Sequence, residues 1–387
     1  MNLLRKKRFW CILLVPFSLI LTQLAHRHPH VTERWFSMGF YRIWTETYGR
    51  VFGYLPFSVA QFLIILVPLG ALGYVLFEVW RIIYCKKATA AAHPKLAPCG
   101  AAKPGQRKKA AVRLIANAGF TVGILWFMLA IGVTINYGRI EFGETIGLEV
   151  RPSSAAELAA LTEILVAQVN DLSSQVARNE HGHMVISAGS TRALSSEART
   201  IFAAAGEDFP VLRGFVPHTK PIIYSRFMSR LRITGVFVPW TLEPHVNIHV
   251  MDYHIPATMI HELAHFRGIM REDEANFIAW LVGYHSGNTD FAYSGAMLAL
   301  SHTAGQLHRV NREAHSRIMA MLDPQVQADR RANWEYWQQF EGPLAEVSRA
   351  ANDAYLRANR QEDGVQSYGR MVDLLLAYFR DDIAGRV

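Results

Sequence analysis

The sequence predicts a mainly α chain of the α+β class. Three N-terminal transmembrane helices are followed by a mostly helical extracytoplasmic domain with a small β-sheet. Three observations carry this reading. Long uncharged runs fill the first third of the chain and are separated by basic residues. Apolar positions recur at helical spacing over most of the remainder. Short apolar segments punctuated by turns occur only in the stretch after Ile222.

Composition already points to a membrane. Of 387 residues only 19% are charged, and the mean hydropathy of +0.09 is high for a soluble protein. The net charge of +8 is unevenly spread. Residues 1–139 hold 18 Lys and Arg against 3 Asp and Glu, and the rest holds 22 against 29. The basic charge therefore flanks apolar segments, which excludes nucleic-acid binding as its explanation. None of the three cysteines (Cys11, Cys85 and Cys99) lies beyond residue 99. The C-terminal domain thus has neither a disulfide nor a thiolate for a metal.

The first span is predicted over residues 9–25, after Arg5-Lys6-Lys7-Arg8. Thr22-Gln23-Leu24-Ala25 gives no small-x-small cleavage site, so this is read as an uncleaved helix. Residues 57–80 carry one charge, Glu78, and 114–137 carry none; each is long enough to cross about 30 Å of hydrocarbon. The basic N-terminus and the basic Ala/Pro/Gly-rich loop 81–113 are expected in the cytoplasm. Segment 26–56 and everything after about residue 138 then lie outside it. Segment 26–56 is rich in aromatics (Trp35, Phe36, Phe40, Tyr41, Trp44, Tyr48) and is expected at the membrane interface. His26, His28 and His30 read as its polar flank. This divides the chain into a membrane domain, 1–137, and an extracytoplasmic domain, 138–387.

In the second domain Ser153-Ser154 opens a helix predicted over 153–178, and another follows at 191–205. Gly235-Val236-Phe237-Val238 is a short apolar segment. His245-Val246-Asn247-Ile248-His249-Val250 alternates strictly and predicts a half-buried strand. Pro256 then opens a helix that Gly268 caps, and a further helix begins near Glu272 and ends at Gly287. Residues 290–385 read as mostly helical, with breaks at Asp323-Pro324, Gly342-Pro343 and Asp363-Gly364.

The first of those two helices carries His261-Glu262-Leu263-Ala264-His265. Two histidines four residues apart share one helix face, so both imidazoles can reach one small cation. The glutamate between them stands where zinc hydrolases place a general base for water. A strand, a turn and then a helix with H-E-x-x-H is the local layout of zincin hydrolases, where a strand borders the cleft and pairs with extended peptide. With no cysteine available, the third ligand must be His, Asp or Glu. Gly268 permits a turn into Glu272-Asp273-Glu274. Glu272 is preferred because Asn276, one turn on, can support a ligand histidine. Glu274 is second and Asp273 third. The motif is too polar for a bilayer core, with Arg267, Arg271 and four acidic residues between His261 and Asn276.

The chain resembles a family of bacterial membrane proteins, the domain-of-unknown-function family 3810. The matching stretches are Leu55-Pro56-Phe57-Ser58, Ile233-Thr234-Gly235-Val236-Phe237-Val238-Pro239, Val246-Asn247, the metal segment, Tyr293-Ser294-Gly295 and Asp363-Gly364-Val365-Gln366-Ser367-Tyr368-Gly369-Arg370. The resemblance implies a membrane-anchored, metalloprotease-like protein of the bacterial cytoplasmic (inner) membrane. Glu272-x-x-Ala275-Asn276 also looks like the E-x-x-A-D/N element of gluzincin peptidases. That likeness implies His261, His265 and Glu272 as zinc ligands and Glu262 as base. Only six residues separate His265 from Glu272, a shorter insertion than most gluzincins have.

A peptidase also needs a donor for the tetrahedral oxyanion, and His249, His285, Tyr293, Tyr368 and Arg370 are available. The aromatic cluster Trp334, Tyr336, Trp337 and Phe340 reads as core packing, and Ser225 and Ser229 have no triad context. The expected function is a zinc-dependent peptidase acting on peptide or protein outside the cytoplasm. The alternative is a non-catalytic membrane receptor or scaffold braced by structural zinc.

Overall fold

The computed structural model describes residues 7–84, 106–361 and 370–386. Cys85, Cys99, most of the basic loop 81–113, the break at Asp363-Gly364 and Tyr368 lie outside the described residues. The chain forms two compact units, one of residues 1–24 and 58–131, the other of 25–57 and 132–387.

The first unit is helical. A tight turn at Lys7–Leu13 leads into α1 (Leu14–Arg27), followed by α2 (Val59–Tyr84) and α3 (Gln106–Gly132). Among the described residues three segments are long and apolar enough to cross a membrane: Lys7–Arg27, Val59–Trp80 and Lys109–Gly138. Their side chains are largely exposed, as surfaces meant for lipid must be; Leu63, Ile64, Leu66, Leu69 and Leu76 of α2 are examples. Inside the unit Phe17 stacks on Phe127, and Asn117 donates to the Tyr74 hydroxyl at 3.3 Å. Glu78 pairs with Arg113 at 3.6 Å, so the one acid of α2 is not left alone in apolar surroundings.

In the second unit, segment 25–57 is helical. Short α pieces at Pro29–Val31, Arg42–Trp44 and Arg50–Gly53 are joined by wider π-type turns at Thr32–Tyr41 and Thr45–Gly49. Its aromatics are not only interfacial: Tyr41 is fully buried, and Trp44 and Tyr48 pack on Phe215, Leu242 and Phe266. Thereafter come α4 (Ala155–Ser173), α5 (Thr191–Asp208), β1 (Lys220–Pro221), α6 (Ser225–Arg230), β2 (Gly235–Val238) and β3 (Glu243–Val246). Next are α7 (Ile255–Phe266), α8 (Glu272–His285), α9 (Thr289–Val310), α10 (Arg312–Met319), α11 (Pro324–Gln338), α12 (Pro343–Ala358) and α13 (Met371–Tyr378).

Local chemistry sets these boundaries. Ser154 caps α4 in a reciprocal box with Glu157, so the helix opens at the second of the two serines and ends at Ser173 rather than 178. Asn288 caps α9 by accepting from the amides of Asp290 and Phe291. Pro324 and Pro343 stand in the first turns of α11 and α12. Gly268 has φ of 82°, which suits it to end α7.

The core lies between α4, α7, α8, α9 and α13, with Trp280, Phe277, Phe291, Leu161 and Leu165 fully buried. α8 and α9 approach closely because Gly283 and Gly295 have no side chain. A β-carbon at Gly295 would lie 3.1 Å from the Trp280 backbone. Ser294 accepts from the Ala257 amide at 2.9 Å and donates to the Tyr253 carbonyl, which ties α9 to the start of α7.

The sheet order is β1-β3-β2, with β1 parallel and β2 antiparallel to β3. This corrects the strand expected over His245–Val250. The strand is Glu243–Val246, all of it buried, and it is central rather than half-buried. The alternating stretch leaves the sheet at Asn247, whose side chain accepts from the His249 amide at 2.9 Å and turns the chain; Ile248 and His249 are exposed. β1 and β2 form the two edges of the sheet. In the expected aromatic cluster, Tyr336 and Trp337 pack on the core, but Trp334 is 62% exposed.

Candidate metal centre

α7 presents His261 and His265 one turn apart, with ring centroids 4.6 Å from each other. The turn at Gly268 sends the chain back, and the first residue of α8, Glu272, meets both rings. His261 Nε2 lies 3.3 Å from Glu272 Oε2, and His265 Nε2 lies 3.7 Å from Glu272 Oε1. One donor atom from each of the three residues falls within 4.8 Å of the others. Tetrahedral zinc with bonds of roughly 2.0–2.2 Å sets its ligand atoms about 3.3–3.6 Å apart, so the donor set suits the ion by chemistry and the two histidine–glutamate distances are close to that spacing.

The distal ring atoms are held. His265 Nδ1 lies 2.7 Å from the Ile269 carbonyl, which can only accept, so Nδ1 carries the proton and Nε2 offers its lone pair toward Glu272. His261 is hydrogen-bonded to Asn276, one turn after Glu272 on α8. The alternatives for third ligand face elsewhere. Glu274 Oε1 accepts from the Phe142 amide at 2.7 Å, and Asp273 lies beside Arg271 and Arg370.

Glu262 lies between the histidines in sequence, only 3% exposed, and its Oε2 has no hydrogen-bond partner among the described residues. Burial and the neighbouring Glu272 charge push its carboxyl up to about 8, against the opposing effect of His261. Burial lowers the His261 imidazole, but Glu272, Glu262 and Asn276 override it and leave its pKa raised. His265 is held down to about 4 by burial and by His261. A cation among these groups would favour the ionised carboxylates and neutral imidazoles.

The neighbouring strand closes over the base. At Gly235 of β2 a β-carbon would lie 2.6 Å from the Thr258 methyl and 2.9 Å from Glu262 Cδ. Only glycine fits between the edge strand and the carboxylate.

Two residues that the sequence did not single out come to this place. The Glu272 charge acts on the Tyr355 hydroxyl of α12, which is hydrogen-bonded to Tyr137; the two rings lie 6.5 Å apart. The Tyr355 ring is 38% exposed, yet desolvation of the hydroxyl and Glu272 push its pKa up to about 12. His302 of α9 is lowered to about 4, by burial and by the charge of His261. Of the candidates for oxyanion donor, Tyr368 lies outside the described residues and the other four are engaged elsewhere. His249 meets the Tyr336 hydroxyl at 2.9 Å, and His285 meets that of Tyr378 at 2.8 Å. Tyr293 donates to Asp329 at 2.6 Å, and Arg370 lies on Gln361 and Asp273. Ser225 and Ser229 donate to the carbonyls of Ile222 and Ser225, and accept from the Ile248 amide and the Asn247 side chain.

The back of α7 is fastened to segment 25–57. Arg139 donates to Glu33 at 2.7 and 2.9 Å and to the Arg267 carbonyl at 3.3 Å. Arg267, 6% exposed, donates to the carbonyls of Arg213 and Phe215 and lies 3.6 Å from Glu46. Tyr41 and Asn136 crowd Gly268.

Against known proteins, the profile of a family described as "Protein of unknown function (DUF3810)" matches residues 36–376. No curated protein and no solved structure matches the chain.

Proposed function

The chain belongs to the DUF3810 family, and from that premise we propose that it is a membrane-anchored zinc-dependent peptidase hydrolysing peptide bonds outside the cytoplasm. The observation that carries this reading is the convergence of His261, His265 and Glu272 beside the buried carboxylate of Glu262, whose Oε2 has no hydrogen-bond partner among the described residues.

In this reading His261 Nε2, His265 Nε2 and a Glu272 oxygen hold the ion. Zinc, when bound, supplies Lewis acidity and lowers the pKa of water. Glu262 Oε2 takes the proton from the attacking water and delivers it to the leaving amine. Tyr355 is the candidate hydroxyl donor to the developing oxyanion, and Tyr137 orients it. β2, at the edge of the sheet and above Glu262, can pair with an extended peptide backbone. The topology has its own support. Segment 25–57 and residues 132–387 belong to one compact unit, which supports placing them on one side of the bilayer. Three spans beginning in the cytoplasm put that side outside, in the inner membrane of a bacterial cell.

The depth of the centre favours one other reading, a non-catalytic receptor or scaffold in which zinc braces α7 against α8. Glu262→Gln separates the two. A peptidase keeps its zinc and fold but loses cleavage of a broad peptide library. If the wild-type protein binds zinc and cleaves nothing in that library, the scaffold reading replaces the enzyme.

A further inference from the structure

Immediately after β1 the second unit turns apolar side chains outward. Ile223 is 71% exposed and Phe227 is 51% exposed, with Tyr224 between them also exposed. Arg226 and Arg230 of α6 are exposed beside them, and neither has an ion-pair partner among the described residues. Water penalises such a surface, whereas the layer of lipid headgroups favours aromatic rings mixed with arginines.

The fold fixes where this surface lies along the chain's path. Lys220 of β1 is 5% exposed, and its ammonium donates to the carbonyls of Phe52 and Phe57 at 2.8 Å each. Its charge is balanced by Glu243 at 2.5 Å. Phe57 is followed at once by Ser58 and then by Val59, the first residue of the second apolar span. Ile223 is three residues from Lys220, a reach of about 10 Å. The apolar turn is thereby tethered beside the point where the chain enters hydrocarbon. Tyr54 and Phe57, 66% and 50% exposed, lie on the stretch of chain that Lys220 holds.

We propose that Ile223, Tyr224 and Phe227, with Tyr54 and Phe57, form an interfacial anchor that inserts into the lipid headgroup layer, with Arg226 and Arg230 on anionic lipid phosphates. The anchor rests on the three-span reading and is independent of the peptidase reading. It would hold the second unit at a fixed height and tilt above the membrane.

The test uses the full chain with Cys11, Cys85 and Cys99 replaced by serine. Single cysteines are introduced by Ile223→Cys, Phe227→Cys or Val310→Cys, the last a 62% exposed reference position at the end of α9. Each is labelled with an environment-sensitive fluorophore and reconstituted in phosphatidylcholine–phosphatidylglycerol vesicles. Labels at 223 and 227 are expected to be quenched at least about twofold more by brominated lipid than the label at 310, and to be shielded from iodide. Arg226→Glu with Arg230→Glu should weaken that quenching in anionic vesicles and leave it unchanged in pure phosphatidylcholine. Equal iodide access at all three positions, without brominated-lipid quenching, overturns the proposal. Protection that appears only in native membranes also overturns it, and assigns the surface to a protein partner instead.

Discussion

Gly235 of the edge strand lies directly against the carboxylate of Glu262, with no room for a single additional carbon. The strand that would align an extended substrate and the group that would move the proton are therefore in contact. Gly235→Ala is expected to displace Glu262 and lower peptide hydrolysis by about 10²-fold, the usual cost of misplacing a reacting group by an ångström. Zinc content should not change, because the atoms nearest that position belong to Glu262 and Thr258 and not to a ligand. Paired activity and metal assays check this.

Adjacent carboxylates of α8 should give opposite results. Glu272→Ala removes one of three donors and is expected to abolish stoichiometric zinc binding. Glu274→Ala leaves the donor set intact but strips the Phe142 amide of its acceptor, at a cost of about 1–3 kcal/mol in stability. Asn276→Ala should weaken zinc affinity by about 10–100-fold through its loss from His261. Metal titration alongside thermal melts distinguishes the three; retained zinc in Glu272→Ala would remove that residue from the site.

Tyr355→Phe tests the hydroxyl. Deleting one donor to an oxyanion costs about 10²–10³-fold in kcat. The prediction is a loss of that size with KM and zinc content little changed. If KM alone rises, Tyr355 only shapes the cleft.

In the metal-free protein the buried histidines should lose stabilising effect in mild acid. Burial lowers His254, partly offset by its hydrogen bond with Asn333, and burial together with His261 lowers His302 to about 4. A histidine whose folded pKa lies below the unfolded value of about 6.5 is protonated preferentially in the unfolded chain. The stability it contributes is fully present above pH 6.5 and declines as pH falls from there toward the folded value. The raised carboxyls of Glu262 and Glu274 work in the opposite sense over the same range, so the histidine contribution is read as a difference between two proteins. As pH falls from 6.5 to 5, chelator-treated His302→Gln should lose less melting temperature than chelator-treated wild type; identical pH dependence would assign the histidine effect to other groups.

How far the sequence could be read follows from how local each signal is. His261, His265 and Glu272 lie within twelve residues, and the spacing rules of one helix and one glycine turn bring them together. Tyr355 and His302 reach the same place from α12 and α9, and no short-range pattern marks a residue delivered by packing across the domain. The strand was misplaced for a related reason. Glu243–Val246 is enclosed by neighbours on both edges and shows no alternation, whereas the alternating stretch beyond it is a turn held by Asn247. Segment 26–56 read as interfacial because its aromatics are visible in sequence. That Tyr41, Trp44 and Tyr48 bury themselves behind α7 depends on partners such as Phe215 and Phe266, far along the chain.

The fastening of Arg139 to Glu33 and of Arg267 to Glu46 has a consequence for biosynthesis. The ribosome delivers residues 25–57 long before residues 132–387, with two candidate membrane spans between them. The early segment must wait for its partners until they have been synthesised. A fragment starting at residue 138 would be a short-lived one. It would leave Arg267 buried without its acidic partner and strip the packing from Gly268, at the turn that brings Glu272 to the histidines.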